Sequence, residues 1–136
     1  MTSLATTAVG RRRAVLVVLA ALTIGAGLLV HGTVAGPIGD VAGDALYAVL
    51  IYLLAASAMP RSGALRPALI AVVFCAGIEL LQLTDLPRDW TAVFPPSALV
   101  FGSGFDLRDL IVYACAVAAA ATADAALTRT FRRTSP

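Results

Sequence analysis

The chain has 136 residues, of which 60% are hydrophobic and 13% charged, and its mean hydropathy is +0.90. Average soluble domains are about 45–50% apolar and about 25% charged, so a water-soluble fold of this length would lack the polar side chains to cover itself. The net charge is only +2 and every basic residue is arginine; the basic residues at the ends read as topology signals before nucleic-acid contacts, and no nucleic-acid partner is expected.

In chain order, residues 1–13 form a basic segment ending in Arg11, Arg12 and Arg13. An apolar run follows at 14–30 and predicts a membrane span over 14–34, within the 17–25 residues that cross a bilayer. A secretory signal core is the competing reading of this run, but it is long for one and the rest of the chain is equally apolar. His31, Gly32, Gly36, Pro37, Gly39 and Gly43 predict a loop over 31–43. A second span is expected at 44–59, stopped by Pro60. A third is expected at 67–83, with Pro67 in its first turn, where its missing N–H costs nothing. A connection over 84–106 carries Pro87, Pro95, Pro96, Gly102 and Gly104, and the apolar stretch 98–101 within it is too short to span. The fourth span is expected at 109–127, capped by Asp106. Its alanine-rich part offers small residues on every face for close helix approach. Residues 128–136 form a basic tail. The expected fold is an all-α membrane protein, a single bundle of four transmembrane helices.

Arginine placement predicts orientation. With the N-terminus in the cytoplasm, eight arginines (11, 12, 13, 61, 66, 129, 132 and 133) lie inside and two (88 and 108) outside. That matches the positive-inside rule for short loops, puts both termini in the cytoplasm, and predicts a bacterial cytoplasmic membrane location. The acids run the other way. Asp40, Asp44, Asp85, Asp89, Asp106 and Asp109 fall at the outer ends, and only Asp124 lies near the cytoplasmic side.

Glu79 is the most informative residue. It lies about 12 residues into its helix, roughly 18 Å from the start at 1.5 Å per residue, and an ionisable group at that depth marks a functional site by default. Gln82 shares its face at i+3. Asp44, Asp109 and Tyr113 are expected at the same depth, with Arg88 or Arg108 as the cation that would pair with Glu79. The candidate binding set is therefore Asp44, Glu79, Gln82, Arg88, Asp106, Asp109 and Tyr113. The set could hold an ion or the headgroup of a lipid or envelope precursor. Equally, its members could satisfy one another and lock a scaffold or assembly partner. An envelope enzyme is a third reading, but no catalytic residue is assigned, because nothing fixes a nucleophile. No metal-ligand spacing, phosphate loop or redox motif is found, and no cofactor is expected. Cys75 and Cys115 read as small apolar residues. Tyr47, Tyr52, Trp90 and Phe94 suit an aromatic belt or packing. The lipid bilayer is the expected partner, and the sequence does not indicate an oligomeric state.

Three local patterns carry a family resemblance. They are Gly43-Asp44-Ala45-Leu46-Tyr47-Ala48, then Glu79-Leu80-Leu81-Gln82-Leu83, and then Gly102 through Leu110 with Phe105, Asp109 and Tyr113. Together they resemble the bacterial membrane family called domain of unknown function 2809, over roughly residues 14–127. The chain is also distantly similar to VanZ-like proteins, which are linked with glycopeptide resistance and the cell envelope. That similarity would match Glu79, Gln82, Arg88 and Asp109 to their shared polar positions. The membrane composition argues against a ribosome-maturation role.

Overall fold

The computed structural model describes residues 2–102 and 104–133. The described residues are mostly helical and contain no strand. Six helices occur: α1 (Thr2–Thr33), α2 (Pro37–Ala58), α3 (Leu65–Gln82), α4 (Leu86–Val93), α5 (Ala98–Phe101) and α6 (Leu107–Arg133), with a 3-10 turn at Pro95–Ser97. Four of them contain stretches long and apolar enough to cross a membrane: Val9–Thr33, Pro37–Ala58, Leu65–Gln82 and Leu107–Arg129.

The chemistry of each end explains its limits. Gly36 adopts φ +78° and turns the chain from α1 into α2, and Pro37 starts α2 without losing a hydrogen bond. Pro60 follows the last turn of α2, whose C-cap is Met59. Asp106 caps α6 by accepting the Arg108 N–H at 2.9 Å, as its type and position predict.

Several boundaries differ from those read off the sequence. Residues 31–43 are not a loop, because only 34–36 lie outside helix. His31 belongs to the last turn of α1, while Gly39 and Gly43 lie in α2. Gly39 is required there, since a Cβ on it would run into the Val34 carbonyl oxygen. The span expected at 44–59 thus begins at Pro37. Residues 2–13 of the basic N-terminal segment are helical and continuous with the first span, and α6 continues through Arg133; residue 1 of that segment and residues 134–136 of the expected tail lie outside the described residues. The 84–106 connection folds into α4, the 3-10 turn and α5. Pro87, Pro95 and Pro96 start helical turns there, a placement that proline favours as much as it favours loops.

α2 is the central helix and packs against α1, α3 and α6, and α3 also packs against α6. The core runs along one stripe of each helix: Leu16 and Ala20 on α1, Ala48, Tyr52, Leu53 and Ala56 on α2, Ala71 and Cys75 on α3, and Tyr113 and Val117 on α6. The i, i+4 spacing within these sets is that of a single helical face. Ala48, Ala56 and Ala71 are fully buried, which is how small residues let helices approach where lipid gives no hydrophobic drive to associate. Only one face of the alanine-rich part of α6 is used, with Ala116, Ala120 and Ala121 against the core and Ala118, Ala119 and Ala123 outward. The outward residues of α1, among them Val18, Leu22 and Leu29, are large, apolar and exposed. An exposed apolar belt of this kind fits hydrocarbon and not water.

Candidate functional site

Two polar clusters sit at opposite ends of the bundle. The first is built on α2, α3 and α6. Ala71, Cys75, Ile78 and Glu79 are buried on α3, so the face that packs the core carries the Glu79 carboxyl into the bundle. Glu79 is fully buried, and both of its oxygens have partners. The Tyr113 hydroxyl donates to Oε1 at 3.0 Å, and the Asp106 backbone N–H donates to Oε2 at 3.2 Å. Tyr113 continues the buried stripe that includes Val117 one turn later, and the Asp106 N–H lies at the N-terminus of α6. Glu79 therefore ties the middle of one helix interface to the start of the next helix, where the helix dipole favours a carboxyl group.

Around this strut lie further acids. Half-buried Asp44, on α2, lies next to Asp109 and within electrostatic reach of Arg108 and Glu79. Arg108 pairs with Asp109 at 3.3 Å and with Asp106 at 3.8 Å. One guanidinium thus faces three acidic side chains, Asp44, Asp106 and Asp109, with Glu79 buried behind them on its own partners. Tyr47 packs on Tyr113 with ring centroids 6.3 Å apart, and its buried hydroxyl has no hydrogen-bond partner. Among the described residues, no group of three or more His, Cys, Asp or Glu side chains is arranged to hold a metal ion.

The structure brings together Asp44, Glu79, Asp106, Asp109 and Tyr113 from the expected set. Gln82 stands at the edge. Its Nε2 donates to the Phe101 carbonyl at 2.7 Å and so fastens α5 over the end of α3, while its Oε1 is buried without a partner. Gly102, at φ +67°, passes so close that a Cβ would strike the Gln82 amide. Arg88 is not brought in. Its ion pair is with Asp85 at 3.8 Å and both side chains are largely exposed, because Arg88 lies on α4 and pairs within its own first turn. The expected ion pair of Glu79 with Arg88 or Arg108 does not form, since the two Glu79 oxygens are taken by Tyr113 and Asp106.

The second cluster was missed by sequence reasoning. Asp124 on α6 accepts from Arg12 of α1 at 2.8 Å and from the Tyr52 hydroxyl of α2 at 2.7 Å. Arg12 also donates to the Pro60 and Ser62 carbonyls in the α2–α3 link. Tyr52 is fully buried here and does not sit in an aromatic belt. A signal was present: Arg12 stands at i−4 from Leu16 and i−8 from Ala20 on the buried stripe of α1, and Asp124 stands at i+7 from Val117 on that of α6. Polar residues that continue an apolar stripe point inward.

Helices of this length and apolarity, with polar groups turned inward and apolar side chains outward, define a multi-pass membrane protein of the four-helix type. The chain belongs to the family described as "Protein of unknown function (DUF2809)", which matches residues 33–117. The match covers α2 to α5 and the first part of α6, and so includes Asp44, Glu79, Gln82, Asp106, Asp109 and Tyr113 but neither Arg12 nor Asp124. No curated protein and no solved structure matches the chain.

Proposed function

We propose that this is a bacterial cytoplasmic-membrane protein with both termini in the cytoplasm, whose acid-rich site on the outer side receives the amine of a lipid or envelope-precursor headgroup. The observation that carries the reading is the gathering of Asp44, Asp106 and Asp109 around a single arginine, with the Glu79 carboxyl buried behind them, at one end of α2, α3 and α6. Neighbouring carboxyl groups repel unless a proton or a cation offsets them; Asp44 and Asp109 are such neighbours, and Asp106 and Arg108 are the exposed members of the group. The orientation rests on the arginine distribution, eight against two. The contacts of Arg12 with Asp124 and with the Pro60 and Ser62 carbonyls are consistent with it, because they join the arginine-rich segments at one end.

The test is titration of the purified chain in detergent with a short-chain phosphatidylethanolamine and, separately, its choline analogue. Saturable binding of the ethanolamine lipid, weakened about tenfold or more in Asp109→Asn and Asp44→Asn, is the expected result, since each removes a charge-assisted contact. Binding that is unchanged in both variants defeats the proposal. A second reading, an internal clamp with no ligand, is favoured by one observation: both Glu79 oxygens are already satisfied inside the bundle. Under that reading, the two aspartate variants alter thermal stability and no headgroup binds.

A further inference from the structure

The opposite end of the bundle holds a cavity that the reading above does not use. It lies at the link between α2 and α3, is open on one side, has a volume of about 300 Å³, and is lined by Ala58, Met59, Pro60, Arg61, Ser62 and Arg66. Liquid water occupies about 30 Å³ per molecule, so the space takes a hydrated tetrahedral anion with room to spare.

The charge around it is one-sided. Arg61 and Arg66 are both exposed and neither makes an ion pair among the described residues. A third guanidinium stands behind the wall, where Arg12 donates to the Pro60 and Ser62 carbonyls and fixes the shape of the link. Its Nε is buried with no partner, and Asp124 is the one carboxyl group paired with it among the described residues. The start of α3 faces the same link with Ala64 as its N-cap and no side chain capping it, so its positive dipole end is not neutralised locally. The cavity also sits immediately beyond the apolar stretches Pro37–Ala58 and Leu65–Gln82, the level at which lipid phosphates lie. Basic pockets between membrane helices are sites for anionic head groups, and arginine holds phosphate through two parallel N–H donors.

We propose that the α2–α3 link binds a phosphate group of net negative charge, gripped by Arg61 and Arg66 and backed by the link that Arg12 holds in shape. The group arrives either on a phospholipid or as free phosphate, and the two sources are separable by experiment. The full chain, purified in a mild nonionic detergent, is titrated with dihexanoyl phosphatidylglycerol, with dihexanoyl phosphatidylcholine and with sodium phosphate, and binding is read from phosphorus NMR line broadening. Phosphatidylglycerol binds saturably, and the doubly substituted Arg61→Gln, Arg66→Gln chain binds it at least about tenfold more weakly, since two charge-assisted contacts are lost. Arg13→Gln removes the same charge from an exposed position near the same end and keeps the affinity within about twofold. Competition by sodium phosphate identifies free phosphate as a sufficient ligand, and its failure to compete identifies the lipid as the source; both support the site. Undiminished binding in the double variant, equal binding of the zwitterionic lipid, or an equal loss in Arg13→Gln overturns it. Matching helical circular dichroism for all variants shows that the comparison is between folded chains.

Discussion

Replacing Glu79 separates what its shape does from what its charge does. The carboxyl group accepts two hydrogen bonds, from the Tyr113 hydroxyl at 3.0 Å and from the Asp106 N–H at 3.2 Å. An amide of the same size keeps both contacts if its oxygen faces the Asp106 N–H and its NH₂ faces Tyr113, because a phenol can turn to accept. Glu79→Gln therefore costs about 1–2 kcal/mol, the difference between hydrogen bonds to a charged and to a neutral acceptor. Glu79→Ala leaves the buried phenol without an acceptor, at about 1–3 kcal/mol, and opens a void in a fully buried position worth a further few kcal/mol. Its total is about 3–5 kcal/mol. Combining Glu79→Gln with Tyr113→Phe costs less than the sum of the single changes, because both singles act on the one Tyr113–Glu79 contact and the group left stranded in the double variant is a neutral amide and not a carboxylate. Unfolding of the purified protein with increasing sodium dodecyl sulfate in mixed micelles, followed by circular dichroism, measures all five chains: the parent, Glu79→Gln, Glu79→Ala, Tyr113→Phe and the double variant. If Gln and Ala at position 79 prove equally stable, Glu79 is not the strut between α3 and α6 and the argument fails.

Three further outcomes follow from other contacts. Asp124→Ala removes the shared acceptor of Arg12 and Tyr52; because Arg12 keeps some solvent, the cost is about 2–4 kcal/mol rather than the full penalty of a stranded buried charge, read in the same unfolding assay, and a loss under about 0.5 kcal/mol would contradict the clamp. Gly102→Ala combines a left-handed backbone with a Cβ placed against the Gln82 amide, so it lowers stability by about 1–2 kcal/mol, whereas Gly104→Ala, where a Cβ meets open space, changes stability by less than half as much. Gly39→Ala drives a Cβ into the Val34 carbonyl oxygen and forces the α1–α2 turn to open, which limited proteolysis detects as new cleavage near residues 34–36.

The four spans were legible because length and apolarity are local properties, readable without knowing what packs on what. Their ends were less so. Gly39 and Gly43 look like loop residues in one dimension, yet Gly39 is in α2 because the backbone of Val34 passes against it. Pro95 and Pro96 suggest a break in a structure where they begin a turn. The Glu79 site was partly legible because an acid deep in an apolar helix is anomalous wherever it occurs, and because Tyr113 and Asp109 share one short segment. Its wiring was not. Arg88 is nine residues from Glu79 in the sequence but lies on a separate helix, while the Asp106 N–H that does bond Glu79 is a backbone group that no residue type advertises. Asp124 and Tyr52, 72 residues apart, have no local pattern to link them; only the continuation of two buried stripes could have done so.

The three-residue turn at 34–36 bears on how the chain is made as well as on how it is held. With so short a connection, α1 and α2 can enter a bilayer together as a helical hairpin, and the segment between them brings little polar material through the hydrocarbon. With the termini on the side proposed above, the heavier translocation falls later, on residues 84–106, which carry Asp85, Arg88, Asp89 and Asp106. Because α6 follows α2 and α3 in the chain, the acid-rich end is complete only once α6 packs onto that pair, long after the α1–α2 hairpin has been made.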